Sequence, residues 1–242
     1  MSTKRALLTI GVLLGLWKGL ALLIQQPYLP SPEAVLEAIL KGGLWRHFLR
    51  SSFRVVVSLG VALQGAVPLG LLMGRRPEVD RVLRPAIYFL YPVPKIVFLP
   101  VVLLLFGLGD LSKVAIISLI VSFPILVASR DASRWVDPEW ILTLRSLGAG
   151  GWDIFRHVVL PATLPHILTA LKIGIGTSIA VLFFVESYAT EEGLGWAILD
   201  AWGRLDYPGM YGAMAAMAGL GVGLYLVVEM ADKRARRWMG PE

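Results

Sequence analysis

The chain has 242 residues, of which 56% are hydrophobic and 17% are charged, and its mean hydropathy is +0.69. Soluble domains carry about 25% charged residues, so this composition leaves too little polar surface for a soluble enzyme or a soluble binding module. The net charge of +6 is therefore interpreted by its position relative to a membrane, and not as a signal for nucleic acid.

The apolar residues fall in six blocks, each with the length of about 17–25 residues that a helix needs to cross a bilayer. This pattern predicts an all-α, polytopic membrane protein with six transmembrane helices. The first block resembles a signal peptide, but Lys18 interrupts it and no small-x-small cleavage site follows, which favours an uncleaved span. The predicted spans are residues 6–24, 55–73, 85–106, 111–129, 167–187 and 210–230.

Positive charge predicts the orientation of these spans, because Lys and Arg are more frequent in cytoplasmic loops. With both termini in the cytoplasm, four Lys or Arg residues lie in outside segments: Lys41, Arg46, Lys113 and Arg204. Fourteen lie in inside segments: Lys4, Arg5, Arg75, Arg76, Arg81, Arg84, Arg130, Arg134, Arg145, Arg156, Lys233, Arg234, Arg236 and Arg237. The segment 130–166 is therefore predicted to be a cytoplasmic loop.

A short helix is predicted between the first two spans. Ser31 is a favoured N-cap, Pro32 suits the first helical position, and Gly42 can end the helix. In the second span, glycines recur at positions 60, 65, 70 and 74. Small residues allow helices to approach closely in lipid, so this pattern predicts a packing face. Arg54, near the start of this span, is expected to snorkel.

The third span is interrupted by prolines, among them Pro92, Pro94 and Pro100. Proline removes a backbone donor, and lipid tolerates this only where protein or a water-filled cavity satisfies the freed carbonyl groups. The span is therefore predicted to be irregular and to line a pathway. Lys95, about half-way along it, either faces this pathway and favours an anionic substrate or snorkels to an interface.

The loop 130–166 contains the sequence signals of a short amphipathic helix. Asp137 is a favoured N-cap before Pro138, and Glu139 lies in the first turn, where the helix dipole favours negative charge. Ile141, Leu144 and Leu147 fall three apart on one face, and Gly148 can end the helix in a left-handed conformation. From the residues alone, this helix is either a docking element or a surface connector.

The fifth span is predicted to begin in the Leu-Pro-x3-Leu-Pro stretch that contains Leu160 and Pro161, and to end near Glu186. Glu186 either pairs with a cation or braces an outer gate, or it simply begins the outer loop. Lys172, about one turn inside this span, is expected to snorkel. A surface or re-entrant segment is predicted before the sixth span.

Several motifs carry a resemblance to the permeases of ABC importers. The cytoplasmic coupling motif of that family reads E-A-A-x3-G-x9-I-x-L-P, and here Gly148 matches its glycine and 158–161 reads V-V-L-P. Leu142, Thr143 and Leu144 stand at the E-A-A positions. The stretches P-x-P-K-I-x3-P-x5-F-G-x-G-D-x-S-K (92–113), R-S-L-G-A (145–149) and V-E-S-x-A-T-x-x-G-L-G (185–195) resemble permeases of sulfonate, taurine and nitrate importers, a group with bicarbonate and thiamine-precursor transporters. The resemblance extends from about Phe48 to Trp238.

The resemblance implies that residues 1–242 form a single permease domain of the type I importer architecture, in the inner membrane of a prokaryote. It implies a second permease copy, two ATPase subunits that bind ATP and Mg²⁺, and an external solute-binding protein. The substrate would be a small anion such as a sulfonate, nitrate or bicarbonate, or else a pyrimidine-type heterocycle. The residues implied in ATPase coupling are Asp137, Glu139, Leu144, Leu147, Gly148, Ala149, Leu160 and Pro161, and those predicted to line the pathway are Pro92, Pro94, Lys95, Pro100 and Glu186.

Other classes of function lack their motifs in this sequence. There is no phosphate loop of the form G-x4-G-K-[ST], so the chain is expected not to hydrolyse ATP itself and to hold no cofactor. The three histidines (His47, His157 and His166) form no metal-ligand spacing, and there is no cysteine. A secondary transporter is the main alternative, since it would need no ATPase, but no repeat relates the two halves of the chain.

Overall fold

The structure is a computed structural model that describes residues 3–188 and 190–236, with side chains described from residue 8. In this part of the chain all regular elements are helical. The α-helices are α1 (Thr3–Ile24), α2 (Pro32–Lys41), α3 (Trp45–Arg75), α4 (Pro77–Leu90), α5 (Leu99–Phe106), α6 (Asp110–Arg134), α7 (Pro138–Ser146), α8 (Gly151–Ile154), α9 (Leu160–Glu186), α10 (Leu194–Gly203) and α11 (Tyr207–Arg236). A 3₁₀ turn, Lys95–Phe98, precedes α5, and a π turn, Phe155–Val159, precedes α9. Some positions used in the sequence analysis lie outside the described residues: position 189 of the V-E-S-x-A-T motif, Arg237 and Trp238. The same holds for the side chains of Lys4 and Arg5.

The all-α prediction is confirmed, whereas the count of six spans stays a prediction. Among the described residues, four helices are long and apolar enough to cross a bilayer: α3, α6, α11 and the continuous helix Gly151–Glu186. A fifth span is present if α4 and the helical segment Lys95–Phe106 count as one broken span. The apolar part of α1, Leu8–Ile24, is shorter than the other four.

The third span differs from its predicted limits of 85–106. The chain forms two helices bent by 85° on either side of a break at residues 91–94, and the first of them begins at Pro77. Pro92 and Pro94 lie in this break, and Pro100 occupies the first turn of α5, where a missing N–H group costs nothing. The prolines thus end one helix and begin another. They do not merely kink a single helix.

The helix of the fifth span also begins earlier than predicted, before both the Leu-Pro-x3-Leu-Pro stretch at 160–165 and the predicted span limit at residue 167. The helix starts at Gly151 and continues through the π turn into α9, with Pro165 inside it. In the π turn the N–H of Leu160 donates to the carbonyl of Phe155, five residues earlier. The wider turn accommodates Pro161, which has no N–H to continue the ordinary pattern.

The chain divides into two compact units, and the prediction of one permease domain stays a prediction. The first unit comprises residues 1–51 and 186–220, and the second comprises residues 52–185 and 221–242. In the first unit α1 and α2 meet through Trp17, whose indole N–H donates to the carbonyl of Pro30 at 3.1 Å. Ser31 accepts a hydrogen bond from the N–H of Ala34 at 3.4 Å, which confirms the predicted N-cap of α2.

In the second unit α3 and α6 approach each other closely at two of the four predicted glycines. A Cβ atom added to Gly70 would lie 2.6 Å from the carbonyl oxygen of Leu126, and one added to Gly74 would lie 2.4 Å from that of Arg130. At Gly60 and Gly65 the same atom would meet nothing within 4 Å. The packing face is therefore confirmed only for the second half of α3.

Candidate functional site

Helix α7 begins as its sequence signals predict. The carboxylate of Asp137 accepts a hydrogen bond from the N–H of Glu139 at 2.8 Å, and Pro138 occupies the first helical position. Glu139 lies exposed in the first turn, where its negative charge interacts favourably with the positive end of the helix dipole. These local interactions define the N-terminus of α7 without any long-range contact.

The C-terminus of α7 is a Schellman motif centred on Gly148. The N–H of Gly148 donates to the carbonyl of Arg145 at 2.9 Å, and the N–H of Ala149 donates to that of Leu144 at 3.0 Å. Gly148 has a φ of +85°, a conformation that costs other residues about 1–2 kcal/mol. The glycine of the coupling motif therefore ends the helix and sets the direction in which the chain leaves it.

A small apolar core holds α7 against the helix that follows it. Its buried residues are Val136, Ile141, Ile154, Val158 and Val159, with Leu144, Ala149, Phe155 and Ala162 packed against them. The predicted apolar face is thus only partly buried. Leu147, expected on the same face, is 80% exposed, because α7 ends one residue before it.

Four large apolar side chains project from this segment into solvent. They are Trp140, Leu142, Leu147 and Trp152, each more than half exposed. One of them, Trp140, lines a cavity of about 400 Å³. The rest of its mostly apolar lining is Thr143, Leu144, His157, Val158, Pro161 and Ala162. Clustered exposed apolar surface on a rigid element is typical of a protein interaction site.

The structure brings two of the predicted coupling residues, Leu144 and Pro161, together in the lining of this cavity. Of the others, Leu147 is 80% exposed at the end of α7 and Leu160 is 37% exposed at the start of α9. The two tryptophans of this surface, Trp140 and Trp152, were not predicted as site residues. Large aromatic residues in a segment predicted to be a polar loop were the signal that could have identified them.

Lys95 lies at the break between α4 and α5. Its ammonium group donates to the carbonyls of Leu90 and Tyr91 at 3.0 Å and to that of Val93 at 3.3 Å, and it lies 4.1 Å from the centre of the Phe123 ring. An ammonium group has three N–H donors, and these three carbonyls, at the end of α4 and in the break after it, can accept from all of them. The role of Lys95 in a pathway stays a prediction, but its geometry is that of a helix cap.

Glu186 is fully buried at the end of α9 and binds the start of α10. The hydroxyl of Ser51 lies 2.8 Å from each carboxylate oxygen, and the N–H of Gly195 donates to the same carboxylate at 2.9 Å. Ser51 in turn accepts from the N–H of Leu194 at 2.8 Å. The two side chains together satisfy N–H groups in the first turn of α10, so the geometry is that of a brace.

Three basic residues of the second unit form ion pairs that were not predicted from the sequence. Arg54, expected to snorkel, is 2% exposed and donates to Asp110 at 2.8 Å. Lys172, also expected to snorkel, donates to Glu229 at 2.8 Å and to Asp232 at 2.7 Å. Arg130 forms a two-pronged pair with Asp80 at 2.5 and 2.8 Å. Pairing within the protein lowers the cost of charge at membrane depth.

Comparison with known proteins places the chain among transport proteins. Residues 66–239 match the model of a family described as the binding-protein-dependent transport system inner membrane component. The taurine transport system permease protein TauC of Escherichia coli strain K12 is 32% identical over 243 residues, covering 96% of this chain and 88% of that protein. The putative aliphatic sulfonates transport permease protein SsuC of the same organism is 28% identical, and the match covers 87% of this chain and 81% of that protein.

Among solved structures, the fold is similar to a chain of the MetNI methionine ABC transporter in an inward-facing conformation. The TM-score is 0.62 at 20% identity, and the match covers 82% of this chain and 96% of that one. A second crystal form of the same transporter gives a TM-score of 0.64 at 21% identity, with 84% and 97% covered. At this level of identity the likeness concerns the fold.

Proposed function

The chain belongs to the family of binding-protein-dependent transport system inner membrane components, and from this membership we propose that it couples a separate ATPase to the import of a small organic anion. It is the transmembrane permease subunit of an ABC importer and a multi-pass protein of the inner membrane. A permease subunit is a transport component. Its energy would come from ATP and Mg²⁺ bound by the partner ATPase.

The proposed substrate is a sulfonate of the taurine type. The support is the similarity to permeases named for taurine and for aliphatic sulfonates, with the taurine permease covering 96% of this chain. An external binding protein would deliver the substrate, and two permease copies would enclose its route.

The single observation that carries the coupling proposal is the exposed apolar surface of the segment 137–161. Leu147 projects at the end of a helix whose two caps are both formed, so its position is defined before any partner binds. We infer that this surface docks on the ATPase. Closure of the ATPase subunits would then move α7, and the apolar core Ile141–Ile154–Val158 would transmit the movement to the helix that begins at Gly151.

Substitution of Leu147 tests this proposal. Leu147→Arg places a charge in the docking surface, and burying an unpaired charge is costly. We expect the full-length variant to be inserted normally but to lose co-purification with its ATPase and to lose ATP-driven uptake of taurine by at least about tenfold. The measurements are affinity co-purification from membranes and uptake of radiolabelled taurine into vesicles.

Two controls accompany this variant. Leu147→Met keeps an apolar side chain of similar volume and should retain both association and uptake. Leu40→Arg introduces the same charge at a leucine of α2 that is 78% exposed, and it should retain the ATPase. If Leu147→Arg associated normally with the ATPase, the docking surface would be disproved. If the wild-type chain associated with the ATPase but did not take up taurine, only the proposed substrate would be disproved.

A further inference from the structure

Four arginines of the second unit line two cavities that share part of their walls. The first cavity, of about 540 Å³, is lined by Met73, Gly74, Pro77, Asp80, Arg81, Arg84, Pro85 and Arg134. The second, of about 580 Å³, is lined by Arg84, Pro85, Tyr88, Arg130 and Arg134. Arg84, Pro85 and Arg134 belong to both, so the two cavities adjoin each other in one recess between the ends of α3 and α6 and residues 77–88 of α4. This recess is called the arginine recess below.

Among the described residues, one carboxylate lines the recess, and it is already paired. Asp80 receives both prongs of Arg130, at 2.5 and 2.8 Å, and is 9% exposed. Arg134 lies 4.0 Å from the same carboxylate, which is the limit of an ion pair, and its side chain is 60% exposed. The negative charge of Asp80 is therefore largely neutralised by Arg130.

Besides Arg130, Arg84 and Arg134 also interact electrostatically with Asp80, but this one carboxylate cannot neutralise four arginines. In the described part of the chain neither Arg81 nor Arg84 forms an ion pair, and both are exposed. The neighbouring Asp131 binds Arg130, at 2.7 Å, and does not line the recess. Like charges that converge on one cavity repel each other, and a bound anion relieves this repulsion.

The shape and chemistry of the recess match an oxyanion. Guanidinium groups bind the oxygen atoms of phosphate and sulfonate groups through paired, directional hydrogen bonds. A volume of 540–580 Å³ is that of a small-ligand site. α4 also exposes apolar side chains next in sequence to its recess residues, Val82 at 74% and Phe89 at 78%, which offer a surface to the tail of an amphiphilic ligand.

We propose that the arginine recess is a binding site for a phosphate or sulfonate group, held by Arg84 and Arg134. The group has two possible sources. Basic pockets between membrane helices on the cytoplasmic side bind anionic lipid headgroups, and residues 75–84 belong to a segment predicted to be cytoplasmic. A free sulfonate or phosphate ion has the same chemistry. The proposal rests on the recess alone and does not depend on the proposed substrate.

The test uses the full-length chain with Arg84 and Arg134 both changed to Gln, which keeps polar side chains and removes the charges. Native mass spectrometry measures the retention of phosphatidylglycerol against phosphatidylcholine. In parallel, thermal unfolding of delipidated chain measures stabilisation by ethanesulfonate or inorganic phosphate relative to chloride at equal ionic strength. We expect the double variant to weaken the binding of one of these probes about tenfold or more.

A matched control is Arg76→Gln. Arg76 is also exposed and lies in the same basic segment, but it does not line the recess. Loss of phosphatidylglycerol in the double variant but not in the control identifies a lipid headgroup, whereas loss of the ethanesulfonate or phosphate effect alone identifies a free oxyanion.

The proposal is overturned if the double variant and Arg76→Gln bind phosphatidylglycerol, ethanesulfonate and phosphate equally well. It is also overturned if the wild-type chain prefers neither phosphatidylglycerol to phosphatidylcholine nor either oxyanion to chloride. Should the double variant aggregate, Arg84→Gln alone replaces it. Arg84 forms no ion pair in the described part of the chain, so its loss leaves the Asp80–Arg130 pair in place.

Discussion

At the scale of single residues, Glu186 shows how a buried charge organises the chain around it. Its carboxylate accepts from Ser51 and from the N–H of Gly195, and both partners lie in the same compact unit as Glu186. Gly193 has a φ of +119°, and a Cβ atom there would lie 2.3 Å from this carboxylate. The motif V-E-S-x-A-T-x-x-G-L-G thus combines an acid, a glycine that makes room for it, and the backbone donors that it binds.

Removal of this carboxylate should loosen α10. Glu186→Ala leaves the Gly195 N–H and the Ser51 hydroxyl without this acceptor, and an unsatisfied buried donor costs about 1–3 kcal/mol. We expect a lower temperature of thermal unfolding and faster hydrogen exchange of residues 194–203. Hydrogen–deuterium exchange with mass spectrometry measures the second effect.

The matched control is Glu192→Gln, six residues further along. Glu192 is 28% exposed and pairs with Arg46 and with Arg50, and a partly exposed pair of this kind contributes about 0–1 kcal/mol. If Glu186→Ala were as stable as this control but inactive in transport, Glu186 would act in the pathway and not as a brace.

At the scale of helices, the break between α4 and α5 is defined by prolines and then closed by Lys95. Pro92 and Pro94 lack the N–H groups that would continue α4, and the carbonyls at its end are left without helical partners. In lipid such carbonyls must be satisfied by the protein or by water. Lys95 does this for Leu90, Tyr91 and Val93 with one ammonium group.

Lys95→Met therefore tests a cap against a substrate-binding group. The substitution keeps the aliphatic stem and removes the donors, and we expect a loss of about 2 kcal/mol of stability, since hydrogen bonds from charged groups contribute about 1.5–3 kcal/mol. Thermal unfolding of the detergent-solubilised chain measures this loss, and Lys95→Arg, which restores donors, should recover part of it. A Lys95→Met chain with unchanged stability but altered selectivity between anionic and neutral substrates would contradict the cap.

Local signals explain what the sequence could predict about these helices. Asp137 with Pro138 begins α7, Ser31 with Pro32 begins α2, and Gly148 ends α7, because capping depends on residues only a few positions apart. The π turn before Pro161 was missed because Leu-Pro equally suits a helix start.

Contacts between distant residues could not be predicted in the same way. Ser51 and Glu186 are 135 positions apart, Arg54 and Asp110 are 56, and Lys172 and Asp232 are 60. Composition and periodicity contain no information on such pairs, so the arginine and lysine were expected to snorkel. The exposed surface at α7 was recognised through a family motif, whereas its two tryptophans became evident only once burial was known.

At the scale of the whole molecule, the segment from α4 to α5 presents apolar side chains that the described part of the chain does not cover. Phe89 is 78% exposed, Val97 67% and Leu104 86%. Exposed apolar residues alone are ordinary for a helix in lipid, but here they flank a break with an 85° bend. Irregular backbone at membrane depth occurs where protein or a water-filled route shields it, which supports the proposal that a second copy of the chain covers this face.

The absence of cysteine makes this proposal directly testable. We expect that at least one of three single-cysteine variants, at Phe89, Val97 or Leu104, forms a disulfide-linked dimer when membranes are oxidised. The same patch faces itself across a two-fold axis, and a disulfide needs two Cα atoms within about 7 Å, so only positions near the axis should react. Gel electrophoresis without reductant measures the dimer.

Leu23→Cys is the matched control, because Leu23 of α1 is 80% exposed and equally apolar. Collisions between chains in the membrane would link Leu23→Cys as readily as the other variants, whereas a defined interface links only α4–α5 positions. If none of the three links, or if all four link to the same extent, a second copy of the chain does not cover this face. The bent segment must then be shielded by a partner other than a second copy of the chain.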